Sequence, residues 1–386
     1  MDVHALRDVV ARKEPAFIAD LEAMVNVDCG SYTPDGVNAI ADRCEARFRE
    51  GGWDVERRSH RSEGGMPRLG DLVVGRLRGD GGARVLLIGH TDTVFDPGTA
   101  AARPFRIEGT RAYGPGVSDM KGGLVAGFVA VEALREVGFG GFGTITYVCN
   151  PDEEIGSPFS GPVIRELAPA HDTAFVLECG RASGDLVSAR KGITDYVATF
   201  RGRAAHAGVE PEKGRHAVLA AAHATVALQA LNGRWPGVTV NVGVARGGTR
   251  PNVVPERAKL EIDLRAVTAA TQAEAEREVE RILATSAIPD VRIDVRSEGT
   301  HRPMEKTEAT ARLAELAATI AGELGFTVGD TSTGGASDGN TTSAAGTPTL
   351  DGLGPVGGGA HAEDEWLDLA SVVPRVTLLA GLIARV

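Results

Sequence analysis

At 386 residues, with 42% hydrophobic and 24% charged content, the chain is long enough for two domains and a large buried core, and its composition is that of an ordinary soluble globular protein. A formal net charge of −11 argues against a nucleic-acid backbone or an anionic membrane as the main partner. No stretch approaches the roughly 20 apolar residues of a spanning helix, and Cys29, Cys44, Cys149 and Cys179 lack Cys-x-x-Cys spacing, as free thiols in a reducing compartment do.

Met1 to Asp20 carries Arg7, Arg12, Lys13 and Glu14 without a continuous apolar run, so neither a signal peptide nor a membrane anchor is expected, and a cytoplasmic location is. Helical apolar spacing runs from Glu14 to Val25 and from Val37 to Glu50, the second stopping at Gly51-Gly52. β-type runs follow at Trp53 to Arg58, Leu72 to Arg78 and Arg84 to Ile88. The last is nearly all apolar, which suits a strand buried on both faces, and it leads into Gly89-His90-Thr91-Asp92-Thr93. His90 and Asp92 point to one side if the extended geometry continues. A histidine there is either a hydrogen-bonded structural residue or a metal ligand whose ring a neighbour fixes.

The glycine-dense segment Tyr113 to Gly123 precedes a helical run from Leu124 to Val137. Its glycines match neither a dinucleotide fingerprint nor a P-loop. Asp119 within it either caps the helix or is presented by the unusual backbone angles that glycine permits. A strand from Gly143 to Cys149 then opens onto Asn150-Pro151-Asp152-Glu153-Glu154-Ile155-Gly156. The adjacent glutamates are either an acidic first helical turn or a pair at a strand mouth, where one acid binds metal while its neighbour handles protons. A further strand, Thr173 to Leu177, ends in Glu178-Cys179-Gly180. His90, Glu154 and Glu178 thus each follow a strand, a recurrence that capping alone explains poorly.

From 192 to 302 the order changes to strand, helix, strand, strand, helix, strand: Asp195 to Arg201, Ala217 to Ala230, Val238 to Val244, Ala258 to Leu264, Thr271 to Thr285 and Val291 to Arg296. That is the ferredoxin-like split order, complete in itself, and it reads as a module inserted into a discontinuous domain of residues 1–191 and 303–386. The first domain resumes with a helix from Glu308 to Leu324, the loop Gly334 to Gly339, the run Gly357-Gly358-Gly359-Ala360-His361 and a terminal helix from Leu369 to Ala384. The expected fold is α/β: a mixed-sheet catalytic domain flanked by helices, carrying an inserted ferredoxin-like α+β module. His361 stands among small loop residues, where a histidine has little packing role.

His90, Asp119, Glu154, Glu178 and His361 make a mixed nitrogen and oxygen donor set suited to zinc-class ions. The segments His90-Thr91-Asp92, Gly116 to Gly123, Asp152-Glu153-Glu154, Ala205-His206-Ala207-Gly208, Asn252-Val253-Val254-Pro255 and the late His361 resemble the zinc-dependent exopeptidase and amidohydrolase family. That family includes bacterial carboxypeptidase G, peptidase T, succinyl-diaminopimelate desuccinylase and aminoacylase, and the carboxypeptidase G type is the nearest in motif. The resemblance spans nearly the whole chain and is specific for family, much less so for substrate.

The resemblance implies two Zn2+ ions, with Co2+ or Mn2+ as alternatives: one held by His90 and Glu178, the other by Glu154 and His361, with Asp119 bridging. It implies Asp92 as the orienting partner of His90 and Glu153 as general base. His206 would stabilise the oxyanion from a partner subunit, so the inserted module would serve as lid and homodimer contact. Arg265, Arg302, Asn252 and Gly335 would contact a peptide or N-acyl amino acid, the arginines forking onto its carboxylate. Ala205 stands where the family often has Ser, and Cys179-Gly180 where carboxypeptidase G relatives commonly have Pro-Thr; Cys179 is either a small buried hydrophobe or a neighbour of the metals. The expected activity is cleavage of a C-terminal, plausibly glutamate-like, amino acid from a peptide or N-acyl conjugate. The rival is an N-acyl-amino-acid deacylase or dipeptidase using the same machinery, and a reading of another class is a non-catalytic binding protein.

Overall fold

The run from Ala83 to His90 lies inside a six-stranded sheet. Its order is Asp54–Arg58, Leu72–Arg78, Phe142–Asn150, Ala83–His90, Thr173–Val176 and Thr349–Leu350. The first three strands pair antiparallel and the rest parallel, which makes the sheet mixed, as expected. The structure is a computed structural model that describes residues 1–62 and 67–386.

Register explains why the strand ends meet. His90 lies opposite Asn150, and Ile88 lies opposite Val176. The residues that follow Phe142–Asn150 and Thr173–Val176 therefore leave the sheet level with His90, on the carboxyl edge where open α/β sheets bind ligands.

Burial on both faces accounts for the continuous apolar runs. Val85, Leu87, Ile145, Tyr147 and Phe175 face one core, together with the helices Val3–Val25, Gly122–Glu136 and Val372–Arg385. Leu86, Ile88, Val148 and Val176 face the other, against Val163 and Ile164 of the helix Ser160–Leu167. Each such side chain contributes about 1.5–3 kcal/mol on burial. Tyr147 is fully buried and satisfies its hydroxyl by donating to the Leu124 carbonyl at 2.8 Å.

The first helix corrects the sequence expectation: it starts at Val3, not at Glu14, and passes through Pro15. Pro15 is exposed, so water can satisfy the carbonyl that its missing N–H leaves free. Leu6, Val9 and Val10 before it and Phe17, Leu21 and Val25 after it are all buried, and their packing holds the helix through the break. Among the described residues, no helix is long and apolar enough to cross a membrane.

The chain divides into two units, Met1–Ala189 with Lys306–Ser332 and Ser337–Val386, and Arg190–Glu305 with Thr333–Ala336. In the second unit, four antiparallel strands run in the order Thr239–Gly247, Arg257–Ala266, Gly192–Arg201 and Arg292–His301. Helices Ala217–Gln229 and Ala269–Leu283 complete the ferredoxin-like order. Leu228, Leu260, Leu264, Val279 and Leu283 fill a core of its own.

Close approach of the helix Gly122–Glu136 to the sheet depends on Gly123, where a Cβ would lie 1.8 Å from the Leu177 carbonyl oxygen. Gly123→Ala is expected to lower stability by about 1–3 kcal/mol through overpacking. Thermal unfolding checks this, and a melting temperature equal to that of the wild type would contradict the close contact.

Candidate active site

The acids and imidazoles of the site come from strand ends and from separate loops. His90 is the last residue of its strand and is 1% exposed. Glu153 and Glu154 occupy a single 3-10 turn, Glu153–Ile155, closed by Gly156 at φ 85. The next helix begins only at Ser160, so the glutamates are not its first turn. Glu178 follows Thr173–Val176. Asp119 sits in the bulged turn Val117–Lys121 ahead of the helix Gly122–Glu136, and the Asp119–Met120 peptide is cis. His361 lies in a loop at φ 65.

These residues converge. His90 Nε2 is 3.1 Å from Asp119 Oδ1 and 3.7 Å from Glu178 Oε1. His361 Nε2 is 3.3 Å from Asp119 Oδ2 and 3.1 Å from Glu154 Oε2. Asp119 thus turns one oxygen to each imidazole, and each imidazole has a second carboxylate beside it. His90, Asp119 and Glu154 offer ligand atoms within 4.8 Å of one another, as do His90, Glu153 and Glu178.

Asp92 is buried between the histidine strand and the acidic turn. Its carboxylate accepts the N–H groups of Glu153 at 3.1 Å and Glu154 at 3.2 Å and the Ser31 hydroxyl at 2.6 Å. The ring contact differs in detail from a simple carboxylate–histidine pair: His90 Nδ1 is 3.0 Å from the Asp92 carbonyl and 3.4 Å from its Oδ1. Asp92 therefore fixes the imidazole partly through its main chain and the glutamate turn through its side chain.

Three supporting residues were not singled out in the sequence. Glu365, buried, stands in a polar loop stretch that reads as solvated surface, yet it receives N–H groups from the Asp119 loop. Asp338 accepts the Ser157 hydroxyl at 2.7 Å and the Asn150 amide, beneath the acidic turn. Lys121 is 1% exposed and donates to the Pro115 and Val27 carbonyls. Cys179 is buried, and burial pushes its thiol up to about 12, so it packs as a small hydrophobe.

Electrostatics give the site its character. Burial pushes the Glu153 carboxyl well above the usual range, with Glu178, Asp338 and Glu154 adding to it and His90 opposing. Glu154 is raised for the same first reason, with His361 opposing. Burial would lower His90, but Asp119 and Asp92 hold it well above its ordinary value, and the contacts with Asp119 and Glu154 raise His361 to about 10. Burial pushes Asp338 and Glu365 up to about 7. So many acids facing one space require positive charge, and the donor set of imidazole nitrogens and carboxylate oxygens fits zinc-class divalent cations.

The remaining residues singled out in the sequence belong to the second unit. His206 is exposed, its Nδ1 accepting the Gly208 N–H at 3.2 Å. Asn252 is exposed and its carbonyl accepts the Ala207 N–H. Arg265 forks onto Asp263 at 2.9–3.1 Å and donates to the Gly334 carbonyl, while Arg302 contacts both oxygens of Glu276 at 3.0 Å. The Gly335 carbonyl accepts from Arg190.

Asp92→Asn turns an amide NH2 toward N–H donors it cannot accept. It is expected to weaken divalent-metal affinity by about 10–100-fold. Chelator competition measures this, and an unchanged affinity would remove Asp92 as the organiser of the acidic turn.

A model of peptidase family M20/M25/M40 matches residues 86–385. Over 374 residues the chain is 31% identical to carboxypeptidase G2 of Pseudomonas sp. strain RS-16, covering 96% of this chain and 89% of that one. It is 35% identical to one component of the p-aminobenzoyl-glutamate hydrolase of Escherichia coli strain K12 over 150 residues, 37% of this chain and 34% of that one. Its fold is shared with the crystal structure of aminopeptidase PepT from Bacillus cereus ATCC 10987, at a TM-score of 0.77 and 23% identity over 96% of this chain and 98% of that one. This chain therefore belongs to peptidase family M20/M25/M40, a family of metal-dependent hydrolases.

Proposed function

We propose that the chain is a dizinc hydrolase that releases a C-terminal, glutamate-like amino acid from a peptide or N-acyl conjugate. The observation that carries the two-metal reading is Asp119, whose Oδ1 faces His90 and whose Oδ2 faces His361. His90 and Glu178 would hold one cation, Glu154 and His361 the other, with Asp119 spanning both. A bound pair of divalent cations supplies Lewis acidity and lowers the pKa of water toward neutrality.

The chain's own residues move the proton. Glu153 lies beside His90 and Glu178. As general base it takes a proton from the attacking water and passes it to the departing amine. Its burial matters here, because a carboxyl raised above its ordinary range holds a proton well enough to deliver it. Glu154, paired to His361, serves as ligand and leaves its neighbour free for this task.

The substrate assignment draws on likeness to carboxypeptidase G2 and to a p-aminobenzoyl-glutamate hydrolase. Arg265 and Arg302, with Asn252 and Gly335, are proposed to contact the substrate. A substrate carboxylate would compete with Asp263 and Glu276 for the guanidinium groups, and partly exposed ion pairs of this kind are weak enough to exchange. His206 is proposed to stabilise the oxyanion across a homodimer. The helix Ala217–Gln229 supports a pairing surface, since Leu219 is 44% and Val226 72% exposed.

Glu153→Gln should retain about two metal equivalents per chain and lose about 10²–10⁴-fold in kcat. Near-wild-type turnover would remove Glu153 as the base. On a panel of N-acyl amino acids and dipeptides, rates should be highest for a C-terminal acidic residue with a free α-carboxylate; equal rates on amidated substrates would contradict the carboxypeptidase assignment and leave the metal centre standing. Mixing Glu153→Gln with His206→Ala chains should recover part of the activity that each lacks. No recovery in verified mixed dimers would rule out action of His206 between subunits.

A further inference from the structure

Glu365 is 1% exposed, and its carboxylate takes every hydrogen bond from one short segment. Oε2 accepts the Gly116 N–H at 2.8 Å. Oε1 accepts the Ser118 N–H at 2.8 Å, the Asp119 N–H at 2.9 Å and the Ser118 hydroxyl at 3.1 Å. Three main-chain donors can converge on one acid because Gly116 adopts the left-handed conformation at φ 73. A side chain there would also collide with Thr93, whose Cγ2 lies 2.6 Å from the position of a Cβ.

The same acid belongs to the loop that carries His361. Contacts and covalent chain therefore close a ring: Glu365 holds the Asp119 N–H, Asp119 Oδ2 lies 3.3 Å from His361 Nε2, and the chain from His361 returns to Glu365. Between His361 and Glu365, the Ala362 carbonyl accepts from Arg103 at 3.2 Å, and the Arg103 guanidinium rests 4.7 Å from the centre of the Phe95 ring. Both loops are thereby fixed against each other before anything binds between them.

We infer that Glu365 is a positioning residue that locks the Asp119 and His361 loops into one unit, so that the shared carboxylate meets both imidazoles in a single geometry. Resting on the two-metal reading above, this adds a residue that touches no metal and no substrate and yet sets how tightly the centre closes. Charge-assisted bonds to main-chain N–H groups are strong and directional, and a neutral amide does not replace them. In Glu365→Gln, one acceptor oxygen becomes an NH2 facing N–H donors, with volume unchanged. Ser118→Ala removes one of the four bonds and leaves the charge in place.

The test compares full-length wild type, Glu365→Gln, Ser118→Ala and Glu153→Gln for zinc affinity by chelator competition, for the visible spectrum after cobalt(II) loading, and for melting temperature after metal is stripped. Glu365→Gln is expected to bind zinc about 10–100-fold more weakly. Its cobalt spectrum should be altered, and its stripped form should melt close to the stripped wild type. Ser118→Ala is expected to shift affinity in the same direction by less, while Glu153→Gln still loads zinc. Wild-type zinc affinity and spectrum in Glu365→Gln would overturn the inference and leave the metal centre intact. If Glu365→Gln fails to fold, unchanged affinity in Ser118→Ala overturns it equally. Absence of zinc binding by the wild type would take down the two-metal reading and this inference together.

Discussion

The arrangement depends on holding like charges together. Asp92, Asp119, Glu153, Glu154 and Glu178 are gathered around two imidazoles at the carboxyl edge of the parallel strands of a mixed sheet. Charged groups withdrawn from water cost several kcal/mol each unless paired, and carboxylates facing one another raise that cost. Rigid strands in fixed register are what keep such a cluster from spreading: His90 opposite Asn150 and Ile88 opposite Val176 leave the acids little freedom to separate. The raised carboxyls of Glu153 and Glu154 and the raised imidazole of His361 express the same need for compensating positive charge.

Six acids in and around the cluster differ in what fills their lone pairs. Asp92 takes the Glu153 and Glu154 N–H groups, Asp152 takes those of Phe159 and Ser160, and Glu365 takes those of Gly116, Ser118 and Asp119. These acids are satisfied by main chain and hold loops in place. Asp119, Glu154 and Glu178 instead face imidazoles, which are themselves metal-ligating groups. Asp92 stands between the two, since its Oδ1 also lies 3.4 Å from His90 Nδ1.

The convergence of His90, Glu154 and Glu178 was legible in the sequence because these candidate residues follow strands whose apolar runs announce burial. Arg84 to Ile88 and Gly143 to Cys149 stood out as strands, and the acids after them were bound to emerge at one edge once the pairing was parallel. Glu365 was not legible: its neighbours are polar, and its burial comes from contact with a segment some two-thirds of the chain away. The start of the first helix was not legible either, because its first turns are charged on one side and only packing of Leu6, Val9 and Val10 carries the helix through Pro15. The partners of Arg265 and Arg302 were hidden as well, because Asp263 sits on the same strand and Glu276 on a helix whose facing residues only the tertiary structure decides.

Separate cores bear on how such a protein acquires a substrate. The helices and sheet that carry the acids pack through Leu87, Tyr147 and Phe175, whereas the second unit packs through Leu228, Leu260 and Val279. Substitutions at exposed positions such as Asn252 or Arg302 leave the packing behind His90 and Asp119 untouched, so the proposed hydrolytic centre and the proposed substrate contacts could change independently. Relatives whose names describe a carboxypeptidase and an aminobenzoyl-glutamate hydrolase, and a structure that shares the fold and is called an aminopeptidase, fit that separation. Family membership therefore fixes the chemistry of bond cleavage more tightly than the identity of the amide.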